Sequence, residues 1–174
     1  MGDPPAKGTH IVKALPRDPL QLRHAFASFA TGVTIITTLD GHGVPAGLTV
    51  NSFGSVSLTP PLVQWSLRIN SALHRSFVAA DRFAVSVLSR EQEELARRFS
   101  SRMTERFAGV AVIEHQGEPP LIGGAIAHFR CRKVHDYRIG DHELFVGEVL
   151  SAEFHSGDPL IFFRSRFTGL VEDD

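Results

Sequence analysis

Alternation of apolar and polar residues runs through most of this chain, and that pattern is typical of β-strands with one buried face. The DGHG run at 40–43 predicts a turn that joins the first two strands as a hairpin. Pro60 and Pro61 predict the end of a later strand. Strands are predicted at residues 33–38, 44–50, 53–58, 62–68, 82–88, 125–138, 142–154 and 159–163, with a short one at the end of 105–114.

The first helix is predicted over residues 19–30. Asp18 followed by Pro19 favours a helix start, because Asp accepts hydrogen bonds from free N–H groups and Pro suits the first turn. Apolar residues then recur at helical spacing, which predicts a helix with one buried face. These residues are Leu22, Ala25, Phe26 and Phe29.

Two further helices are predicted in the middle of the chain. Residues 70–81 predict a short helix whose cap is Asn70 or Ser71. A capping box that begins at Ser89 predicts another helix over residues 90–99.

The order of these elements indicates the fold class. Six to eight strands and about three helices are expected, and strands follow strands more often than they alternate with helices. This mainly β pattern favours an antiparallel sheet closed into a barrel over a doubly wound parallel sheet. The length of 174 residues suggests a single domain, assigned to 18–174. Residues 1–17 are rich in Pro, Gly and charge and predict a flexible N-terminal tail.

Composition narrows the possible functions. The net charge is −1 without a run of Lys or Arg, so nothing favours nucleic acid or an anionic membrane as partner. No apolar stretch approaches the roughly 20 residues of a membrane helix, and the N-terminus has no apolar core of a signal peptide. The single Cys131 cannot form an internal disulfide and is interpreted as an apolar strand residue. We therefore expect a soluble, cytoplasmic protein.

Two motifs suggest chemistry but lie in the wrong context. The GHGVPAG run at 41–47 resembles a dinucleotide fingerprint, yet strand-like residues follow Pro45 where that motif requires a helix. Asp141, His142 and Glu143 could suggest a metal site. Three consecutive strand residues, however, alternate between faces and do not converge on one ion. We expect no metal site from this sequence.

The stretch GLTVNSFGSVSLTPPLV, residues 47–63, is more informative. Apolar residues alternate there with Thr, Ser and Asn. A flat aromatic cofactor needs an apolar face for its ring and hydrogen-bonding groups for its rim, and such a strand offers both. Gly47 would let the backbone approach the cofactor closely. The alternative is that the small polar residues only fill strand and turn positions, and the stretch alone leaves both interpretations open.

A wider resemblance favours the cofactor interpretation. The run FATGVTIITTLDGHGVPAGLTVNSFGSVSLTPPLV is followed in order by NSALHRSF, RFAVSVLS, LARRFS, RFAG, PLIGGAIAHFRCRKV, GDHELFVGEV and DPLIFFRSRF. Together these segments resemble the short-chain flavin reductase family over roughly residues 20–170. The resemblance implies an FMN-binding split β-barrel, antiparallel and homodimeric, with flavin sites near the subunit interface. It also implies reduction of FMN or FAD by NADH or NADPH, and delivery of reduced flavin to a separate monooxygenase.

The resemblance also assigns residues. It gives the flavin contacts to Pro45, Ala46, Gly47, Leu48, Thr49, Asn51, Ser52, Ser66, Leu67, Arg68, Ser71, Ala72, Arg98 and Phe99. It gives the nicotinamide contacts to His142, Phe162, Phe163 and Arg164. Many relatives have Tyr at positions 163 and 167, so a hydrogen bond from either hydroxyl is not expected here. No catalytic acid or base is expected, because the two cofactors carry the hydride transfer themselves.

Several questions stay open from the sequence alone. A non-catalytic FMN carrier on the same barrel would need the flavin residues but not His142 or residues 162–164. A barrel resembling pyridoxamine-phosphate oxidase would need phosphate-binding Arg and Lys residues that are not evident. The sequence does not decide between FMN and FAD, or whether flavin is a prosthetic group or a substrate. NADH is preferred to NADPH, since no Arg cluster for a 2′-phosphate is evident.

Overall fold

The computed structural model describes residues 18–170, so the predicted tail at 1–17 lies outside the described residues. Three α-helices and twelve strands are present in this range. The helices are α1 Pro19–Phe26, α2 His74–Ala79 and α3 Glu93–Ser100. The strands are β1 Thr31–Gly32, β2 Thr34–Leu39, β3 Pro45–Val50, β4 Gly54–Leu58, β5 Pro61–Arg68, β6 Arg82–Val87, β7 Val112–Ile113, β8 Leu121–Ile122, β9 Ala127–Ile139, β10 His142–Phe154, β11 Ile161–Phe163 and β12 Arg166–Thr168.

Seven strands form the main sheet, in the order β3-β2-β6-β9-β10-β5-β4 with antiparallel pairing. This confirms the predicted antiparallel architecture and the hairpin of the first two strands. A three-stranded sheet of β1, β11 and β12 and a ribbon of β7 and β8 complete the fold. The short strands β1, β8 and β12 were not predicted, because two or three residues carry no readable alternation.

The main sheet is rolled, because its two edge strands are neighbours in the chain. Val50 ends β3 and Gly54 begins β4, so the four Cα–Cα steps between them span at most about 14 Å. A flat sheet of seven strands would hold its edges about 29 Å apart. The short connection therefore requires the sheet to curl until its edges approach each other, as the barrel prediction expects.

Aromatic rings fill the interior of the rolled sheet. Trp65 of β5 stacks on Phe145 of β10, with ring centroids 4.5 Å apart. Phe77 of α2 meets Trp65 edge-on at 4.9 Å, and Phe83 of β6 does so at 5.8 Å. All four side chains are buried. Each such pair adds roughly 0.5–1.5 kcal/mol beyond the area it buries, so this cluster holds β5, β6, β10 and α2 together.

The first helix differs from its prediction. Its cap is confirmed, since the backbone N–H of Leu20 donates to the Asp18 carboxylate at 2.9 Å. The helix ends at Phe26, however, and none of its residues is buried. Phe26 is 68% exposed and Phe29 is 77% exposed. The expected buried face is therefore wrong for the single chain, because helical spacing identifies an apolar face but not what covers it.

The second helix is shorter than predicted, at His74–Ala79 in place of 70–81. The N–H groups of Ser71 and His74 are already bonded to carbonyls three residues earlier, so this segment forms turns before the helix begins. No side chain caps the helix itself, and the Ser71 hydroxyl accepts from the N–H of Leu73 within the turn. The capping box at Ser89 is confirmed and precedes a 3-10 turn that leads into α3.

Within residues 18–170, no helix is long and apolar enough to cross a membrane. Cys131 lies in β9 and is buried. This agrees with its interpretation as an apolar strand residue. Burial raises the pKa of its thiol to about 12, so the thiolate does not form at neutral pH.

Gly147 allows β10 to pass directly over the aromatic core. A Cβ atom at this position would lie 2.6 Å from the Cε1 atom of Phe83 and 3.2 Å from the Cβ atom of Cys131. Both neighbours are buried, so neither has free space into which to move. The strand therefore requires a residue without a side chain at this position.

We expect Gly147→Ala to lower the free energy of unfolding by about 1–3 kcal/mol, the usual cost of overpacking a core. Urea denaturation followed by Trp65 fluorescence measures this directly. Gly41→Ala is the control, because a Cβ there would have no neighbour within 4 Å and should leave the midpoint unchanged. Equal midpoints for Gly147→Ala and the wild-type protein would contradict this account of the core.

Candidate functional site

A cleft of about 370 Å³ opens where β3, β5 and the beginning of β10 meet. Its walls combine apolar side chains with hydroxyl, amide, guanidinium and imidazole groups. The lining residues are Leu48, Thr49, Val50, Asn51, Ser52, Ser66, Leu67, Arg68, Asn70, Ser71 and His142. Its volume falls within the roughly 300–1,000 Å³ that is usual for small-molecule sites.

Strand pairing brings these segments together. Strands β5 and β10 are antiparallel, and Arg68 lies directly opposite His142 at the end of the ladder. One step further in, Leu67 faces Glu143, and Ser66 faces Leu144. Residues separated by 74 positions in the chain therefore share one end of the sheet, where the hydrogen-bonded ladder stops and side chains become accessible.

The hydroxyl group of Ser52 holds one wall of the cleft in place. It accepts a hydrogen bond from the backbone N–H of Ser66 at 3.0 Å and donates to the carbonyl of the same residue at 3.2 Å. The side-chain amide of Gln64 donates to the Ser52 carbonyl at 3.3 Å. Ser52 thus fastens the connection between the sheet edges to β5.

The hydroxyl of Thr49 has a similar structural role. It donates to the carbonyl of Ala96 at 2.7 Å and so ties β3 to α3. Of the small polar residues in the 47–63 stretch, Thr49 and Ser52 therefore support the backbone that surrounds the cleft. Asn51 lies between them with an exposed side chain, and its amide is accessible to a ligand.

Charged groups stand at the rim of the cleft. Arg68 forms an ion pair with Asp141, with a nitrogen–oxygen distance of 3.6 Å, and about half of its side chain is exposed. Asp141 also accepts a hydrogen bond from Nδ1 of His142 at 2.7 Å. This bond, together with a smaller contribution from the nearby Arg68, lowers the pKa of the Asp141 carboxyl below its usual value. Because Nδ1 donates to Asp141, Nε2 is the His142 nitrogen left for a ligand.

The Asp141-His142-Glu143 run does not gather around one point. Glu143 contacts His74 of α2, with an oxygen–nitrogen distance of 3.2 Å, whereas Asp141 and His142 contact each other. The alternation expected for three strand residues does not hold, because Asp141 lies in the turn before β10 and contacts His142 directly.

The cleft contains half of the residues that the resemblance assigns. From the flavin set it contains Leu48, Thr49, Asn51, Ser52, Ser66, Leu67, Arg68 and Ser71, and from the nicotinamide set it contains His142. It also includes Val50 and Asn70, which sequence reasoning did not single out. Both are chain neighbours of assigned residues, so the continuity of the segments was the signal that could have identified them.

Three assigned residues lie beside or behind the cleft wall. Pro45 and Ala72 are exposed but do not line the cleft, and Ala46 is buried in β3. Their assignment as flavin contacts stays a prediction.

Gly47 and Phe99 form a packed layer under β3. A Cβ atom at Gly47 would lie 3.0 Å from Cζ of Phe107, 3.1 Å from Cε1 of Phe99 and 3.2 Å from Cγ2 of Thr37. Phe99 is completely buried and meets Phe107 edge-on at 5.0 Å. Gly47 thus lets α3 pack closely on the sheet, a role that differs from the close approach of a cofactor expected from the sequence.

Arg98 borders another cleft, of about 830 Å³, which is lined by α3 and the segments before and after it. Its guanidinium donates to the carbonyls of Glu105 and Ala108, at 3.1 and 2.6 Å. It therefore braces the loop that follows α3. Its assignment as a flavin contact also stays a prediction.

The other nicotinamide residues belong to the three-stranded sheet. Phe162 packs against Phe167 with ring centroids 5.3 Å apart, and the guanidinium of Arg164 lies 5.1 Å from the ring of Phe163. Arg164 also borders a separate cleft of about 400 Å³ beside His24 of α1. Within one chain, His142 and Arg164 therefore line two separate clefts, and Phe162 and Phe163 line neither.

Comparison with known proteins identifies the family. Residues 26–170 match the model of the flavin reductase like domain. The chain belongs to the flavin reductase like family. It is 43% identical over 145 residues to FMN reductase (NADH) SmoA of Agrobacterium fabrum, covering 83% of this chain and 82% of that protein. It is 40% identical over 172 residues to HsaB, the reductase subunit of a flavin-dependent monooxygenase of Rhodococcus jostii. This alignment covers 95% of this chain and 85% of HsaB.

A solved structure confirms the fold. The NADH:FAD oxidoreductase of Streptomyces globisporus, in complex with NAD and FAD fragments, superposes with a TM-score of 0.87 at 38% sequence identity. The superposition covers 95% of this chain and 99% of that one. The split β-barrel expected from the resemblance is therefore the fold of this flavin reductase like chain.

The residues of the cleft fit a flavin. Leu48 is partly buried and supplies apolar surface for a flat ring, and Asn51 supplies an amide for its polar rim. Val50 and Leu67 border the cleft but are buried in the core. Arg68 supplies an exposed cation of the kind that binds phosphate. Both requirements of the cofactor, an apolar face and polar partners at its edge, are met within one cleft.

We expect His142→Ala to raise the pKa of Asp141 toward its usual value, because the hydrogen bond from His142 is the largest cause of its lowering. A carboxyl NMR titration of the two proteins measures this change. A lowered pKa in the folded state gives a stabilising contribution above the ordinary pKa, which is lost as pH falls through the lowered value. The variant should lose that contribution.

His74→Ala is the control for this titration. The His74 side chain contacts Glu143, so the His74→Ala substitution should leave the pKa of Asp141 unchanged. An Asp141 pKa that is unaltered in His142→Ala would contradict the arrangement at the rim of the cleft.

Proposed function

We propose that this chain reduces FMN or FAD with NADH as the hydride donor. The observation that carries the proposal is the pairing of β5 with β10, which places the cation Arg68 opposite His142 at the mouth of a cleft with both apolar and polar walls. Relatives at about 40% identity are named as NADH-dependent reductases of FMN and of FAD, which supports the same activity here.

In this proposal the cleft binds the flavin and its tail. Leu48 contacts the ring, and the backbone of residues 48–52 provides hydrogen bonds to its polar edge. Arg68 binds a phosphate, and Ser71 adds a hydroxyl next to it. Arg98 and Phe99 contribute by fixing α3 and the loop after it, since one braces carbonyls and the other is fully buried.

His142 orients the nicotinamide. Asp141 holds the imidazole through Nδ1, so Nε2 can hydrogen-bond the nicotinamide carboxamide. Once bound side by side, the two cofactors supply the hydride transfer themselves, and the protein contributes position and the exclusion of water. No proton donor among the side chains is required for this step.

A homodimer is part of the proposal. Large apolar side chains are exposed on the single chain, among them Phe26 at the end of α1, Phe29 just after it, Leu58 at 91% and Phe154 at 86%. Large apolar side chains that are this exposed are typical of surfaces that pair with another protein. A second chain would also give the divided nicotinamide residues, His142 and 162–164, a way to meet across an interface.

We further propose that the reduced flavin serves a separate monooxygenase in the cytoplasm. HsaB and the reductase component of a nitrophenol monooxygenase of Rhodococcus opacus are named as parts of such systems. A rim at which Arg68 and Asp141 form an exposed ion pair suits a flavin that leaves after reduction.

Arg68→Ala and His142→Ala should distinguish flavin binding from NADH binding. Loss of a hydrogen bond to a charged phosphate should raise the KM for FMN about 10- to 100-fold, with little change in the KM for NADH. Loss of the neutral bond from His142 should raise the KM for NADH about 2- to 10-fold and leave flavin affinity unchanged. Steady-state NADH oxidation and flavin fluorescence titration provide both quantities.

Arg132→Ala is the matched control, because Arg132 is similarly exposed in a cross-strand ion pair, with Glu148, outside the cleft. It should behave like the wild-type protein. Normal turnover and normal affinities in both Arg68→Ala and His142→Ala would overturn the proposed site. Intact flavin binding without any NADH oxidation in the wild-type protein would favour a flavin carrier.

Sedimentation equilibrium tests the homodimer. The wild-type protein should sediment at twice the mass of one chain, and Phe26→Ser combined with Phe29→Ser should shift the equilibrium toward monomers. Val44→Ser is the control, since Val44 is also more than half exposed but lies in the turn between β2 and β3. A monomeric wild-type protein would contradict the dimer, and an unaffected double variant would exclude the α1 face as the interface.

A further inference from the structure

A second cluster of polar residues lies at the opposite end of the β9–β10 hairpin. His128, Glu153 and His155 each direct one ligand atom to a common point, and these atoms all lie within 4.8 Å of one another. Glu153 is paired directly opposite His128, so the two side chains emerge on the same face of the sheet. His155 follows two residues after Glu153, which returns it to that face.

The state of the His128 ring is unusual. This residue is only 2% exposed, and its Nε2 atom lies 2.8 Å from the carbonyl oxygen of Ile122. A carbonyl oxygen only accepts hydrogen bonds, so Nε2 carries the proton and Nδ1 carries a lone pair. That Nδ1 atom is buried and has no hydrogen-bond partner. A buried acceptor without a partner costs free energy, and a bound cation would remove this cost.

The neighbouring charges leave the carboxylate available. Arg130 lies two residues from His128 in β9, and its guanidinium donates to the carbonyl of Pro119 at 3.0 Å. No ion pair within 4.0 Å involves Glu153 among residues 18–170.

We propose that His128, Glu153 and His155 bind a divalent transition-metal ion of the Zn²⁺ type. Two imidazole nitrogens and one carboxylate match the ligand preference of zinc and its neighbours, and they are too rich in nitrogen for Ca²⁺ or Mg²⁺. The bond from Nε2 of His128 to a backbone carbonyl is the outer contact that orients a metal-binding imidazole. Three protein ligands leave one position of a tetrahedral ion for water.

The proposed ion lies far from the flavin cleft. His142 and Glu153 are eleven positions apart in the same extended strand, a separation of roughly 35 Å. The ion therefore takes no part in hydride transfer and links the exposed end of β10 to the buried ring in β9. This cluster lies outside the Asp141-His142-Glu143 run on which the sequence expectation of no metal site was based.

Calorimetric titration of the untagged, EDTA-treated and dialysed protein with Zn²⁺ tests the proposal. We expect one ion per chain in the wild-type protein. Glu153→Gln and His155→Ala should each weaken binding by about 100-fold or more, since loss of an outer partner alone costs about 10- to 100-fold. Both residues are exposed, so the variants should fold. Their flavin-dependent NADH oxidation should equal that of the wild-type protein.

His135→Ala is the matched control, an exposed histidine of the same strand outside the cluster. It should bind Zn²⁺ like the wild-type protein, and a Co²⁺ complex should show tetrahedral absorption bands that only the cluster variants lose. Absence of saturable Zn²⁺ binding, or equal binding by Glu153→Gln, His155→Ala and wild type, would overturn the proposal. A loss of Zn²⁺ affinity in His135→Ala as large as that in His155→Ala would also overturn the proposal.

Discussion

The stack of Trp65 on Phe145 is the contact on which the cleft depends. Both side chains are buried and directly opposite each other in the β5–β10 ladder. Counting outward from this pair, the same register places Arg68 opposite His142. A slip of one strand by one residue would turn its aromatic ring to solvent and also separate the cation from the imidazole. The core therefore determines which charged groups meet at the mouth of the cleft.

Closure of the sheet supplies the other wall. The connection between β3 and β4 joins the two edges of the main sheet, and Ser52 fastens this connection to the backbone of Ser66. A cleft formed at a point of closure has walls from strands that are distant in the sheet order, so it combines segments that no single hairpin could bring together. Thr49 extends the same support to α3.

Much of this arrangement could be predicted from the sequence, because strand alternation and the capping box at Ser89 are local signals. The long strands β9 and β10 and the hairpin of β2 and β3 were found in this way. Alternation does not specify which strands pair. Only the resemblance to a family could therefore predict that residues 48–52, 66–71 and His142 converge.

Other features depend on tertiary contacts that no local pattern contains. The face of α1 is apolar, but its exposure follows from the absence of a neighbouring element in the described part of the chain. Gly47 suggested a close approach of a cofactor, whereas the close neighbours are the rings of Phe99 and Phe107. His128 and Glu153 are 25 positions apart, and only the β9–β10 register brings them together.

The most direct measurement is oxidation of NADH by the purified protein, followed by nicotinamide absorbance without flavin, with FMN and with FAD. Oxidation should depend on added flavin and saturate with it, and the flavin with the lower KM is the preferred acceptor. No oxidation with either flavin, repeated with NADPH, would contradict the account. If flavin fluorescence were still quenched by the protein, the cleft would bind flavin without turning it over.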